Sequence, residues 1–356
     1  MKTKHKATLR KFQLTESIVS SCRLTALAGL FLLLAVGAQA APQFFSGATA
    51  NKNWDTSTLN WGSLTGGPYT AAWVNGNDAI FQGTAATVTN AGVSAHSLTF
   101  TVASYVVASN TLTLTGTLPA ITNTVAATIS SVIDGTAGFT KYGNAGLTLY
   151  GANTFTGRLT NNSGANVVGI IVANNDALGA GGAGNETVVV GNGNGGVGNA
   201  VGLNPGVTTP ANETLILSAL NGRAALVMQN GAGVATWGGN ILATNTGSSG
   251  GAQIVVNNAS SALNINGNIS GINLSGGLLI RGGNGTNKIN GNIFLINTSV
   301  FKADTSIAYI NSTGNKWGSF TVNQGTLFLG VNDALDTSAP LYINQAGGGN
   351  TPCVFD

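Results

Sequence analysis

The sequence predicts an all-β protein wound as a right-handed parallel β-helix with an N-terminal aromatic cap, and a β-sandwich is the alternative. Three observations carry this. Short β-prone stretches recur along the chain, each giving way within about two residues to Gly, Asn or Ser. Beyond residue 40, no segment keeps a 3.6-residue apolar period over ten or more positions, so helix is expected to be nearly absent. Finally, parts of the chain recur: Asn-Asp-Ala-Leu starts at Asn175 and at Asn332, and Asn-Gly-Asn-Ile at Asn266 and at Asn290.

The chain opens on an export signal. Lys2, Lys4, Lys6, Arg10, Lys11 and Arg23 precede the apolar run Leu24 to Val36, and Ala38-Gln39-Ala40 follows. That is the charged, apolar, small-residue order of a cleavable signal peptide. The run is far shorter than the roughly 20 residues of a membrane-spanning helix. Cleavage is expected after Ala40, giving a secreted or surface-exposed mature chain after Sec-dependent export.

Removing the signal changes the charge. The whole chain carries +3, while residues 1–40 hold six basic and one acidic side chain, so the exported part is left at −2. Its eight basic residues are scattered from Lys52 to Lys316. Nucleic-acid binding needs clustered positive charge, so no nucleic-acid partner is expected. The mature part has one cysteine, Cys353, and forms no intrachain disulfide. Charged residues make up 7% of the chain and there are 52 glycines, yet the apolar share is 43%. That apolar content argues against disorder.

Residues 41–78 are aromatic and turn-rich, with Trp54, Trp61, Tyr69 and Trp73 separated by Asn, Gly and Pro. They are expected to cap the first coil of residues 79–356, because an uncapped solenoid exposes its core and its strand edge. An aromatic surface for stacking sugars is the competing reading. From Ala79 onward the alternation is cleanest in Leu98, Phe100, Val102 and in Leu112, Leu114, with Thr on the other face. The branched Cβ of Thr suits a pleated surface.

One coil of 20 to 25 residues cannot bury its own apolar face; the next coil, stacked about 4.8 Å above, can. The 24-residue spacing of the two Asn-Gly-Asn-Ile segments is close to one such coil. Asn266 should therefore sit beneath Asn290, with Ile269 and Ile293 stacked inside.

Gly146-Leu-Thr-Leu-Tyr-Gly-Ala-Asn-Thr-Phe-Thr-Gly157, continued by Val167-Val-Gly-Ile-Ile171 and Asn175-Asp-Ala-Leu-Gly179, resembles the autotransporter-associated β-strand repeat. Asn323-Gln-Gly-Thr-Leu-Phe-Leu-Gly330 with Asn332-Asp-Ala-Leu335 is similar to the second half of another copy, and Asp336 replaces its terminal glycine. Asn53-Trp-Asp-Thr, Asn60-Trp61 and Ala72-Trp-Val-Asn-Gly-Asn-Asp-Ala-Ile-Phe81 resemble the segment that opens the exported regions of such proteins. The resemblance implies a β-helical passenger with a structural or adhesive surface role. It also implies outer-membrane export machinery as a partner, with cell-surface or extracellular glycans as candidate ligands. Members usually continue into a C-terminal barrel, so the chain is expected to be truncated or to use another export route.

No catalytic, cofactor-binding or metal-binding residue is assigned. A polysaccharide-cleaving β-helix enzyme, the alternative function, would need paired acids flanking a groove. Asp134, Arg158 and Asp176 are spaced so that they could align on adjacent coils, but turn and surface roles are expected for them. His96 and Cys353 fall short of the three or four ligands of a zinc site. Gly247-Ser-Ser-Gly-Gly251 matches a nucleophile elbow in letters, yet leads into a strand where the elbow needs a helix. Gly191-Asn-Gly-Asn-Gly-Gly196 matches a dinucleotide fingerprint but precedes a Gly- and Asn-rich stretch that cannot form the required helix. Asn occupies the places where calcium-binding β-rolls carry Asp, so no calcium site is expected.

Overall fold

The computed structural model describes residues 40–344 and 353–355, apart from 165, 194–195 and 245–249. Nearly all of the expected signal peptide, residues 1–39, lies outside this set. From Pro42 onward the described residues contain strands and no helix, wound as a parallel β-solenoid of about 10 turns. The β-helix expected from the sequence is thus the fold observed. Strand pairing is parallel throughout except near the N-terminus, where Phe44 and Phe45 face Gly62 and Trp61 antiparallel. A sandwich would have shown mostly antiparallel ladders.

Each coil contributes strands to stacked faces. The first face begins at Pro42–Ser46 and Asp78–Gln82 and continues through Ser97–Phe100, Ala120–Asn123 and Phe139–Gly143. The second begins at Asn53–Trp54, Thr87–Asn90 and Tyr105–Ala108. A third holds Ser94–Ala95, Leu112–Leu114 and Ile133–Asp134, then among the described residues carries no strand until Gly233–Trp237. In that gap the third side is made of loops.

Period-2 alternation sets which side chains fill the interior. On the second face Tyr105, Ala127, Leu147, Ile170, Val201, Leu226, Ile254 and Ile280 stand in one register column, all buried. Burial of such a column is what couples one coil to the next, since each residue covers apolar surface that a lone coil leaves wet. The β-prone stretch from Val125 to Ile133 forms two strands, Ala127–Ile129 and Ile133–Asp134. Buried Ser131 lies between them, and the chain there passes from the second face to the third.

The asparagine register holds as expected. Ile269 pairs with Ile293 across adjacent coils, and both are buried. Asn290 donates from Nδ2 to Asn266 Oδ1 at 2.8 Å, and Asn311 donates to Asn290 Oδ1 at 2.8 Å. A second ladder runs beside it: the backbone amide of Asn268 donates to Asn240 Oδ1 and that of Asn292 to Asn268 Oδ1. Asn serves here because its amide both donates and accepts, so one residue can bond above and below.

Candidate functional site

The recognisable repeat spans several coils, and its polar residues tie them together. Asn153, 4% exposed, accepts the Ile133 amide on Oδ1 at 2.7 Å and donates from Nδ2 to the Ala177 carbonyl at 2.6 Å. One side chain thereby satisfies backbone groups on the coils before and after its own. Phe155 packs on Phe139 with ring centroids 5.3 Å apart. It also explains the closing glycine: Gly179 has φ +94°, and a Cβ there would lie 2.7 Å from the Phe155 ring.

The second copy repeats the device. Asn315 accepts the Ile293 amide at 2.7 Å and donates to the Ala334 carbonyl at 2.8 Å, with Trp317 following as Phe155 follows Asn153. Sequence reasoning saw only the second half of this copy, because Asn315-Lys-Trp-Gly318 keeps just an asparagine and an aromatic of the motif. Asp336, in place of the terminal glycine, is buried and accepts from Ser338 Oγ at 2.6 Å, Lys316 Nζ at 3.0 Å and the Trp317 amide at 3.3 Å. The Ser338 hydroxyl foremost, with the Lys316 ammonium, holds its carboxyl well below the usual carboxylate range.

Two buried lysines went unseen in the sequence. Lys141 Nζ donates to the Gly143 and Ala145 carbonyls and to Ser163 Oγ, at 2.8, 2.5 and 2.8 Å. Lys302 Nζ donates to the carbonyls of Ala303, Asp304 and Gln324 at 2.9, 2.9 and 3.0 Å. Burial pushes the Lys141 ammonium down to about 8. With all three protons bonded to oxygen, each lysine closes a corner of the coil.

Glu213 is a further buried charge-bearing group, 1% exposed, accepting from Thr187 Oγ1 at 2.8 Å. Burial pushes its carboxyl up to about 7, against the pull of the Thr187 hydrogen bonds.

The geometry separates the candidate catalytic groups. Asp134 accepts from Thr154 Oγ1 at 3.1 Å, whereas Arg158 pairs with Glu186 at 3.1 Å. The backbone bonds of Thr154 to Ile133 and of Asn153 to Asp176 put the coil of Thr154 between those of the two acids. Asp134 and Asp176 therefore follow one another along the stack and do not face each other across a cleft. His96 Nδ1 lies 2.8 Å from Asp78 Oδ1 and 3.3 Å from Ser97 Oγ, while Nε2 meets the Thr117 carbonyl. A Ser-His-Asp triad needs the acid and the nucleophile on opposite ring nitrogens. Here both address the same one. Gly191 to Gly193 end the strand Thr187–Gly193, residues 194–195 are outside the described set, and the strand Asn199–Leu203 follows where a dinucleotide fingerprint needs a helix. The first three residues of the elbow-like match, Gly247 to Ser249, likewise lie outside the described set, and its last two lead into the strand Ala252–Val256.

Trp54, Trp61 and Trp73 are 0, 0 and 2% exposed. Their ring centroids stand 4.6 to 5.4 Å apart, with Phe45 5.3 Å from Trp61 and Phe81 5.4 Å from Trp54. Stacking a sugar requires an open ring face, which none of the three offers.

The described outer surface carries depressions on two of its sides. On the first face, Leu242, Ile272, Phe294 and Ile296 remain exposed around Gly271, Ser270 and Thr244, enclosing about 490 Å³. On the third side, where strands are missing, Ala152, Thr154, Asp176, Ala180, Pro210 and Asn212 line a groove of about 460 Å³. Among the described residues no group of three His, Cys, Asp or Glu is placed to hold a metal ion.

Over 134 residues, 36% of its length, the chain is 41% identical to the "Adhesin BmaC autotransporter" of Brucella suis biovar 1 (strain 1330). It is similar to an autotransporter adhesin. The chain spans 4% of the length of that relative, and the parallel solenoid described above is the architecture expected of an autotransporter passenger. No family model and no solved structure matches the chain.

Proposed function

We propose that the exported part is an adhesive structural module, displayed at the cell surface or secreted, that performs no catalysis. The observation that carries this is the 41% identity to an autotransporter adhesin in a chain whose described residues form a parallel solenoid. Such a stack offers long, rigid, sparsely charged faces, which suit contact better than turnover. Export across the outer membrane would proceed through the machinery that serves autotransporters, and extracellular glycans are the ligands of choice. Residues 41–78 act as a cap: the buried tryptophans pack over the first described coil, and the antiparallel strand Trp61–Gly62 covers an edge of Pro42–Ser46.

The test displays the mature chain on a non-adherent bacterium and counts cells retained on epithelial monolayers and on immobilised glycans. Retention above the empty-display control is expected. No retention on any surface, together with turnover of a polysaccharide panel, would replace the adhesive reading with the enzymatic one.

A further inference from the structure

We propose that the strandless stretch of the third side is a binding groove for neutral glycans, a refinement that rests on the adhesive reading above. Loops from three successive coils build it: Ala152 to Thr154, Asp176 to Ala180, and Pro210 to Asn212. These loops are held in place by hydrogen bonds between coils. Asn153 bonds to Ile133 and Ala177, the Ala180 amide donates to the Phe155 carbonyl at 3.0 Å, and the Gly182 amide to the Asn212 carbonyl at 2.8 Å. Asn212 Nδ2 donates to the Ala180 carbonyl at 3.2 Å. A groove fixed in this way loses little freedom when a ligand enters.

Its chemistry matches a hydroxyl-rich chain. Thr154, Asp176 and Asn212 are exposed and offer a hydroxyl, a carboxylate and an amide. The Asp176 carboxylate takes no hydrogen bond from the described protein groups and is available to accept from sugar hydroxyls, as charged acceptors do strongly. Ala152, Ala180 and Pro210 supply small apolar surfaces for the C–H side of a sugar ring. The lining contains an acid and no cation, and Asp134 lies against Thr154 nearby. Sialylated, sulfated or uronate-bearing glycans would be repelled, so the ligand class is the uncharged oligosaccharides.

The experiment applies the mature chain, with signal removed, to an array of neutral and anionic glycans, then measures affinity for the best neutral ligand with Asp176→Ala and Asn212→Ala. Asp176→Ala removes an exposed carboxylate and should leave the melting temperature unmoved, whereas Asn212→Ala also removes the bond to the Ala180 carbonyl, so only binding lost at an unchanged melting temperature counts for the groove. Neutral glycans should bind, and each variant should weaken binding about tenfold or more. Unchanged affinity in both variants, a preference for anionic glycans, or loss of binding in chelator would overturn the site, the last because it assigns the contact to a cation. If the wild type binds no glycan while displayed cells still adhere, this groove is wrong and the adhesive reading stands. Glycan binding without cell adhesion would keep the groove and sink that reading.

Discussion

Glu213 places a pH dependence inside the solenoid. Its carboxyl is buried with one hydroxyl partner, Thr187, and the neighbouring Glu186 adds to the upward push given by burial. In the folded chain it titrates near 7, against an ordinary value of 4.5. Between those values the folded state keeps a proton that the unfolded chain has released. Stability therefore falls as pH rises from about 4.5 to about 7, and is level above that. At about 1.4 kcal/mol for each unit, the cost at pH 8 is roughly 3 kcal/mol as an upper figure. Glu213→Gln keeps an oxygen to accept from Thr187 and removes the titration. Urea unfolding of the mature chain at pH 4, 5, 6, 7 and 8 should show the variant gaining up to about 3 kcal/mol at pH 8 and almost nothing at pH 4. Parallel pH profiles for the two proteins would refute the buried-carboxylate argument.

Trp73→Ala should cost about 3 to 5 kcal/mol, as emptying an aromatic core site does, and leave glycan binding intact; an unchanged melting temperature would defeat the cap reading of residues 41–78. Asn153→Ala strands the Ile133 amide and the Ala177 carbonyl in the interior, so it should destabilise by about 2 to 5 kcal/mol. Asn290→Ala breaks two bonds that water can replace and should cost about 1 kcal/mol, so equal losses for the two asparagines would contradict the distinction between staple and ladder. Lys141→Met keeps the apolar stem but strips the ammonium donor from the Gly143 and Ala145 carbonyls and from Ser163 Oγ, leaving Ala145 only the 3.3 Å bond from Asn123 and Ser163 its bond to Asn161, and hydrogen exchange at residues 143–146 should quicken by at least about tenfold.

What could be read in advance, and what could not, follows from how far apart the cooperating residues lie and how constant that separation is. Ile269 and Ile293 were paired from the sequence because identical four-residue contexts recur one coil apart, and period 2 then fixes which side chain points inward. The burial of the tryptophans is legible from position together with size, since large rings ahead of the first alternating strands can cover the end of a solenoid core. Lys141 resists such reasoning: a lone lysine is by default a surface residue, and only the carbonyls of a corner two to four positions ahead make its burial tolerable. The groove is harder still, because coil length is not fixed. Asn153 reaches Ala177 over 24 residues, whereas the equivalent Asn315 reaches Ala334 over 19. Corner loops absorb such differences without disturbing the stacked strands, since the interior ladder constrains only the residues that pair. Thr154, Asp176 and Asn212 consequently share no common interval, and their convergence on one side becomes visible only when the coils have been counted in space.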